Sequence, residues 1–181
     1  PKSELLDKLK RTDYVFEKHI YYAKIFTQPK DNLIIRGLVL LKTQVIEENQ
    51  FRDNKSLMFA DCPNVHTVME AGFKSCFVLS RFHSKKLQIL GEYSFACCYK
   101  LCEIDLSGVK SIPACCFDCC FALAEIDLSG VETIDERAFS DNYSLNQTMP
   151  HLEDSQTSIQ TQIQKARCQE PINFRFKERS D

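Results

Sequence analysis

The chain has 181 residues, 44% of them hydrophobic, with a formal net charge of −2. That length suits one domain with a tail, and the near balance of charge removes any general pull toward nucleic acid. No apolar run approaches the ~20 residues needed to cross a bilayer as a helix, so no membrane span is expected.

At the N-terminus, Ser3 is placed to cap a helix carrying Leu5, Leu6 and Leu9. Thr12 or Asp13 is placed to cap a second, in which Phe16, Ile20 and Ala23 recur at helical spacing beside Tyr21 and Tyr22. Pro29 and Asp31-Asn32 end this region. Residues 1–34 are therefore expected to form a helical N-terminal cap, because the open end of a stack exposes apolar surface that must be covered. A separate partner-binding helix pair and a junction to an upstream domain are the other readings.

The segment EIDLSGV occurs twice, at Glu103–Val109 and Glu125–Val131, 22 residues apart. A fixed period of this size marks a stack of small structural units. The same step connects Ile35, Leu57, Leu79, Leu101, Leu123 and Leu145. It also connects Phe51, Phe73, Phe95, Phe117 and Phe139, and Ile46, Val68, Leu90, Ile112 and Ile134. Three residues after each Phe stand Asn54, Cys76, Cys98, Cys120 and Asn142. Within a unit, Ile104 and Leu106 alternate with Glu103 and Asp105, the pattern of a strand with one buried and one wet face. Ser107-Gly108 turns the chain, Val109–Ile112 is a second short extended segment, and 113–122 reads as a turn of α- or 3₁₀-helix. The array spans 35–150, about five and a half repeats without insertion. It is weakest at Ala60, Cys62 and Ser84, where bulky aliphatic side chains are expected, and Thr148 and Pro150 end it.

Residues 151–181 lose the register. Ile159, Ile163 and Ala166 suit a short capping helix, and Pro171–Phe176 an edge strand. A partly ordered C-terminal cap and a disordered tail both fit this composition.

The unit A-F-x-x-C-x-x-L-x-x-I-x-L followed by V-x-x-I, clearest from Phe117 to Ile134, resembles the BspA-type leucine-rich repeat family. The resemblance implies an α/β leucine-rich-repeat solenoid. Its parts would be a curved parallel β-sheet on the concave face, short second strands, and helical turns elsewhere. It further implies an adhesion or interaction role rather than catalysis.

Ten cysteines invite a search for disulfides, metals and nucleophiles. Cys76, Cys98 and Cys120 fall where the stack wants a small buried side chain, which favours reduced, packed thiols. That favours a cytoplasmic setting, with a cell surface or extracellular one the alternative if a signal precedes the chain. Cys98, Cys102, Cys115 and Cys119 carry zinc-like spacing, and Cys116 and Cys119 form a CxxC. The repeat points Cys98 and Cys120 inward and Cys97 and Cys119 elsewhere, against convergence on one ion. A disulfide between successive coils fits the ~4.8 Å strand spacing. A catalytic Cys needs a base held next to it; His83 falls on a nearby strand, but nothing in the pattern pairs it with a particular thiol. No catalytic residue, metal ligand or cofactor is assigned. Asn54, Asn142 and Asn146 begin glycosylation triplets, but Asn54 and Asn142 occupy the inward position, where the amide should bond buried backbone.

The outward strand positions change character along the array. Val39, Leu41 and Phe59 are apolar; Asp61 follows; Arg81, His83 and Lys85 are basic; Glu103, Asp105, Glu125 and Asp127 are acidic; Gln147 and Met149 close the series. Like charges stacked on adjacent strands oppose folding slightly, so they serve solubility or a basic partner. Phe59, Asp61, Arg81, His83, Lys85, Glu103, Asp105, Glu125 and Asp127 are the candidate contacts for a protein or peptide partner. The expected function is a monomeric, non-enzymatic interaction module. The alternatives are a metal-binding or redox-responsive protein built on the cysteine cluster, and a spacer within a larger surface or scaffold protein.

Overall fold

A computed structural model of the chain describes residues 2–29, 31–142, 144 and 145. Helix α1, Lys2–Arg11, carries Glu4 in its first turn and Lys8, Lys10 and Arg11 in its last, which suits the helix dipole. It buries Leu9 and leaves Leu6 half exposed. The Lys8 ammonium lies 2.7 Å from the Glu17 carboxylate and 3.5 Å from that of Glu4, tying the helix to the next element.

That next element is not the expected second helix. Tyr14–Glu17 (β1) and Ile20–Ala23 (β2) form an antiparallel hairpin, with Phe16 opposite Tyr21 and Glu17 opposite Ile20. Lys18 and His19 make the turn at φ 51° and 65°, the two-residue geometry that matches strand twist. Tyr-Val-Phe and Ile-Tyr-Tyr are aromatic and β-branched, and such residues pack well on a pleated surface. Tyr21 and Ala23 are fully buried, while Ile20 and Tyr22 alternate with them.

The hairpin continues the main sheet. β2 pairs in parallel with β3 (Gly37–Leu40), followed by β5 (Phe59–Asp61), β7 (Arg81–His83) and β9 (Glu103–Ile104). The pairs Phe59↔Arg81, Ala60↔Phe82 and Arg81↔Glu103 repeat the 22-residue step seen in the sequence. Two smaller parallel sheets follow the same step. One contains β4 (Val45–Ile46), β6 (Thr67–Val68) and β8 (Ile89–Leu90); the other contains β10 (Ser111–Ile112) and β11 (Thr133–Ile134). The main sheet has six strands, but they are not the six expected. The hairpin supplies two of them, residues 125–127 are not assigned to a strand among the described residues, and 147–149 lie outside those residues. The C-terminal expectations for 151–181 also lie outside them.

The coil corners are runs of turns rather than the expected helical turn. Within one coil, Ala96 N–H donates to Tyr93 O (3.0 Å) and Cys98 N–H to Phe95 O (3.1 Å). The intervening N–H groups cross to the next coil: Tyr93 to Ala114 O, Phe95 to Cys116 O and Cys97 to Asp118 O, at 3.3, 3.0 and 2.7 Å. A helix would keep those donors inside its own turn. Here they join neighbouring coils and satisfy backbone that the stack buries.

The core is a column of rings. Phe51, Phe73, Phe95, Phe117 and Phe139 stack with centroids 5.2, 5.4, 5.8 and 5.4 Å apart and planes within 16° of parallel. Phe26 meets Phe51 edge-on at 4.7 Å and ends the column on the hairpin side. Beside it, the buried thiols of Cys76, Cys98 and Cys120 donate to Phe51 O, Phe73 O and Phe95 O at 3.1, 3.2 and 3.2 Å. Asn142 occupies the same register and is buried, but its amide makes none of the expected hydrogen bonds among the described residues. Asn54 is only half-buried and Asn146 lies outside the described residues.

The weak positions of the repeat are compensated locally. Ala60 faces Phe82 across the sheet, and the Phe82 ring packs edge-on against Phe73 and Phe95 at 5.4 and 5.2 Å. The buried Ser84 hydroxyl donates to Val65 O. The Ser-Gly turn of the motif has its own steric reason. A Cβ on Gly108 would lie 2.6 Å from Leu87 O, and one on Gly130 2.8 Å from Ser107 O, so each turn presses on a carbonyl of the preceding coil.

Two outcomes are expected from chemical denaturation. Phe95→Ala or Phe117→Ala lowers unfolding free energy by about 3–5 kcal/mol through the cavity left in the column. Gly108→Ala costs about 1–3 kcal/mol, because a backbone carbonyl cannot move aside as a side chain can.

Candidate functional site

The outward side chains of the main sheet form two columns. Gly37, Phe59, Arg81 and Glu103 are paired in one, and Val39, Asp61 and His83 in the other. The hairpin lengthens the apolar end with Val15 opposite Tyr22 and with Ile20 beside Gly37. Reading residues 12–23 as helix hides Val15, Ile20 and Tyr22 from the candidate list. Their signal was the β-branched and aromatic composition on either side of Lys18-His19.

Phe59, Arg81 and Glu103 form a connected row. The Phe59 ring lies across Gly37, where an added Cβ would come within 2.3 Å of its Cζ. The Arg81 guanidinium carbon is 5.7 Å from the centre of that ring, and Arg81 Nη1 is 3.9 Å from Glu103 Oε2. Arg81 is thus engaged from both sides by neighbours one coil away.

Beyond this row lies an open groove of about 590 Å³. Arg81, His83, Glu103, Asp105, Glu125 and Asp127 border it, with the partly buried Ile104 and Ile126 and the buried Phe82 beneath them. Six of the nine expected contacts are therefore brought together. Phe59 and Asp61 sit on the neighbouring strand toward the apolar end. Lys85 is not on the strand face: β7 ends at His83, and Lys85 occupies the following bend, in register with Ser107 of the next coil. Strand alternation had been carried past the point where the chain turns.

Asp105 and Asp127 have a second role that the outward pattern did not reveal. Asp105 Oδ1 accepts the Ser107 N–H at 3.0 Å, and Asp127 Oδ1 accepts the Ser129 N–H at 2.9 Å. Each carboxylate thereby pins the Ser-Gly turn of its own coil. These N–H donors hold both carboxyls below the usual aspartate range; for Asp105, burial and Asp127 oppose the effect and His83 assists it. The signal was in the sequence, since Asp two residues before a turn Ser in D-L-S-G is the composition of such a turn.

The zinc-like spacing of Cys98, Cys102, Cys115 and Cys119 does not assemble. Cys98 is buried and bonded to Phe73 O, whereas Cys102 is exposed on the sheet side and donates to Ser80 O at 3.4 Å. Cys116 of the CxxC is fully buried beside the Ser94 hydroxyl at 3.1 Å, and burial pushes its thiol up to about 12.

Comparison with known proteins agrees with this geometry. A leucine rich repeat protein of T. pallidum superposes with a TM-score of 0.58 at 20% identity, covering 75% of this chain and 67% of that one. A leucine rich cell surface protein of Faecalibacterium prausnitzii superposes with a TM-score of 0.48 at 17% identity, and this chain covers 44% of its length. No curated protein matches the chain. The family model of the BspA type leucine rich repeat region matches residues 39–166 in six copies, beginning inside the first expected coil and extending past Pro150. With most of its length under that match and the 22-residue step built into its sheets, the chain belongs to the BspA type leucine rich repeat family.

Proposed function

We propose that this chain is a non-enzymatic interaction module whose outward sheet face holds a protein or peptide segment carrying basic and apolar side chains. The observation that carries the reading is the groove itself. Glu103, Asp105, Glu125 and Asp127 line it around partly buried Ile104 and Ile126. Of these four carboxylates only Glu103 is ion-paired among the described residues, and that pair is solvent-exposed and weak. Adjacent like charges in an otherwise optimised stack are a local cost that a cationic ligand would relieve. The apolar Phe59 and Val39 end of the same face would take the uncharged part of the segment. Family membership supports an interaction or scaffold role in general, and the partner follows from the chemistry of the face. A cytoplasmic setting rests on the packed thiols alone, and the comparisons lend it nothing.

Because Asp105 and Asp127 serve the turns as well as the groove, charge and structure must be separated experimentally. Asn keeps the oxygen that accepts the turn N–H and removes the charge. Partners captured by the intact chain are expected to bind the Glu103→Gln/Asp105→Asn/Glu125→Gln/Asp127→Asn variant at least ~10-fold more weakly, with the circular dichroism of the folded chain retained at neutral pH. Reversal of all four to Lys abolishes binding while the fold survives. Undiminished capture by the Lys variant would refute the assignment of this face. Folding linkage has a definite sign here. The depressed carboxyl pKa values of Asp105 and Asp127 contribute stability that is present above the unfolded value, about 3.9, and lost as pH falls through the folded one. Asp105→Asn should flatten that acid limb in a melting-temperature profile.

A further inference from the structure

The coil corners carry a row of side chains that the sheet face does not use. One of the recurring left-handed positions of the corners is held by Asp53, Ser75, Cys97, Cys119 and Asp141, with φ 60°, 61°, 59°, 56° and 52°. The outer members are Asp or Ser, whose short polar side chains settle such a conformation by local hydrogen bonding. The middle two are thiols. Unlike Cys76, Cys98 and Cys120, neither is a buried core filler. The fold therefore does not require sulfur at these two places.

The stack brings these thiols to a carboxylate. The 2.7 Å bond from Cys97 N–H to Asp118 O fixes one coil on the next. Cys97 Sγ, a carboxylate oxygen of Asp118 and Cys119 Sγ then all lie within 4.8 Å of one another, with Cys119 Sγ 3.7 Å from Asp118 Oδ1. Around a tetrahedral ion with bonds of about 2.3 Å to sulfur and about 2.0–2.2 Å to oxygen, ligand atoms sit roughly 3.5–4 Å apart, so small side-chain rotations close the set. We propose that Cys97, Asp118 and Cys119 form a site for a thiophilic divalent cation of the Zn²⁺ type, its fourth position open to water.

The surroundings set the cost of ligation. Burial first and then Asp118 push both thiols upward, Cys119 to about 12, while burial raises Asp118. Asp141, one coil on, acts in the same direction on Cys119 and Asp118. Lys74, with its ammonium 4.2 Å from the Tyr93 ring centre, opposes this for Cys97 and Asp118 but is a lesser influence. A bound cation would have to displace the protons that these shifts keep on the thiols, so binding should release protons and strengthen as pH rises. Tyr99, two residues beyond Cys97, stacks between Phe77 and Phe121 at 4.9 and 5.0 Å.

The test is a Co²⁺ titration of the full chain under a non-thiol reductant, in a Cys102→Ser/Cys168→Ser background that removes two of the thiols outside the cluster and leaves the buried ones in place. One equivalent is expected to bind with the visible spectrum of a tetrahedral thiolate complex. Cys97→Ser or Cys119→Ser should weaken binding at least ~100-fold, and Asp118→Asn, which keeps both thiols, at least ~10-fold with unchanged circular dichroism. Absence of a tetrahedral spectrum, or Co²⁺ affinity indifferent to Asp118→Asn, overturns the proposal. So does finding Cys97 and Cys119 joined as a disulfide in protein isolated without reductant, which would make them a redox pair. If a Cys→Ser variant loses its fold, the Asp118→Asn result decides.

Discussion

The constraint on which the structure depends is the contact of one phenylalanine ring with its equivalent a coil away. Planes within 16° of parallel and centroids 5.2–5.8 Å apart leave little freedom in how coils sit on one another. A ring stack of this kind adds to simple area burial, and it also sets register. Once Phe95 lies on Phe117, Arg81 must fall beside Glu103 and Cys98 beneath Cys120. The sheet face and the corner row are both consequences of the column between them.

The same stacking gives the module two surfaces of different chemistry. On the sheet, side chains project from paired backbone and vary from Tyr22 and Val39 through Arg81 to Glu103, which suits an extended ligand lying across several coils. On the corners, the left-handed backbone sets short side chains from adjacent coils close together, which suits a compact ligand held by two or three atoms. Neither surface intrudes on the core, because the ring column and the Cys76, Cys98 and Cys120 thiols fill it.

The parts of the fold legible in the sequence are those in which side-chain identity itself recurs. The Phe column, the inward Cys positions and the alternation of Glu103 with Ile104 all repeat at 22 residues, and each has the place expected of it. The hairpin was illegible for a geometric reason. Phe16, Ile20 and Ala23 stand at separations of four and three that also fit a helical face, and the two-residue turn that makes Phe16 and Tyr21 meet is Lys18-His19, with no glycine to announce it. The corners were illegible because their left-handed residues include Ala71, Tyr93 and Cys115 and no glycine, so nothing in the composition announces the turn. At the site, the acidic rungs were readable from alternation, whereas Lys85 was misplaced because alternation does not show where a strand stops. The approach of Asp118 to Cys97 depends on a corner path that the sequence pattern leaves open.

The hairpin at the start of the sheet has a consequence for how the array is counted. A parallel coil is extended by another parallel coil, yet β1 runs against its neighbour and Phe26 closes the ring column behind it. Among the described residues no parallel coil continues the sheet beyond β1, and the exposed border is four residues long. The array thus has a fixed zero, and every rung stands at a set distance of ~4.8 Å per step from it. Whatever lies along the face is measured from that end, so inserting or deleting one coil would move every later side chain by a whole step without altering any of them.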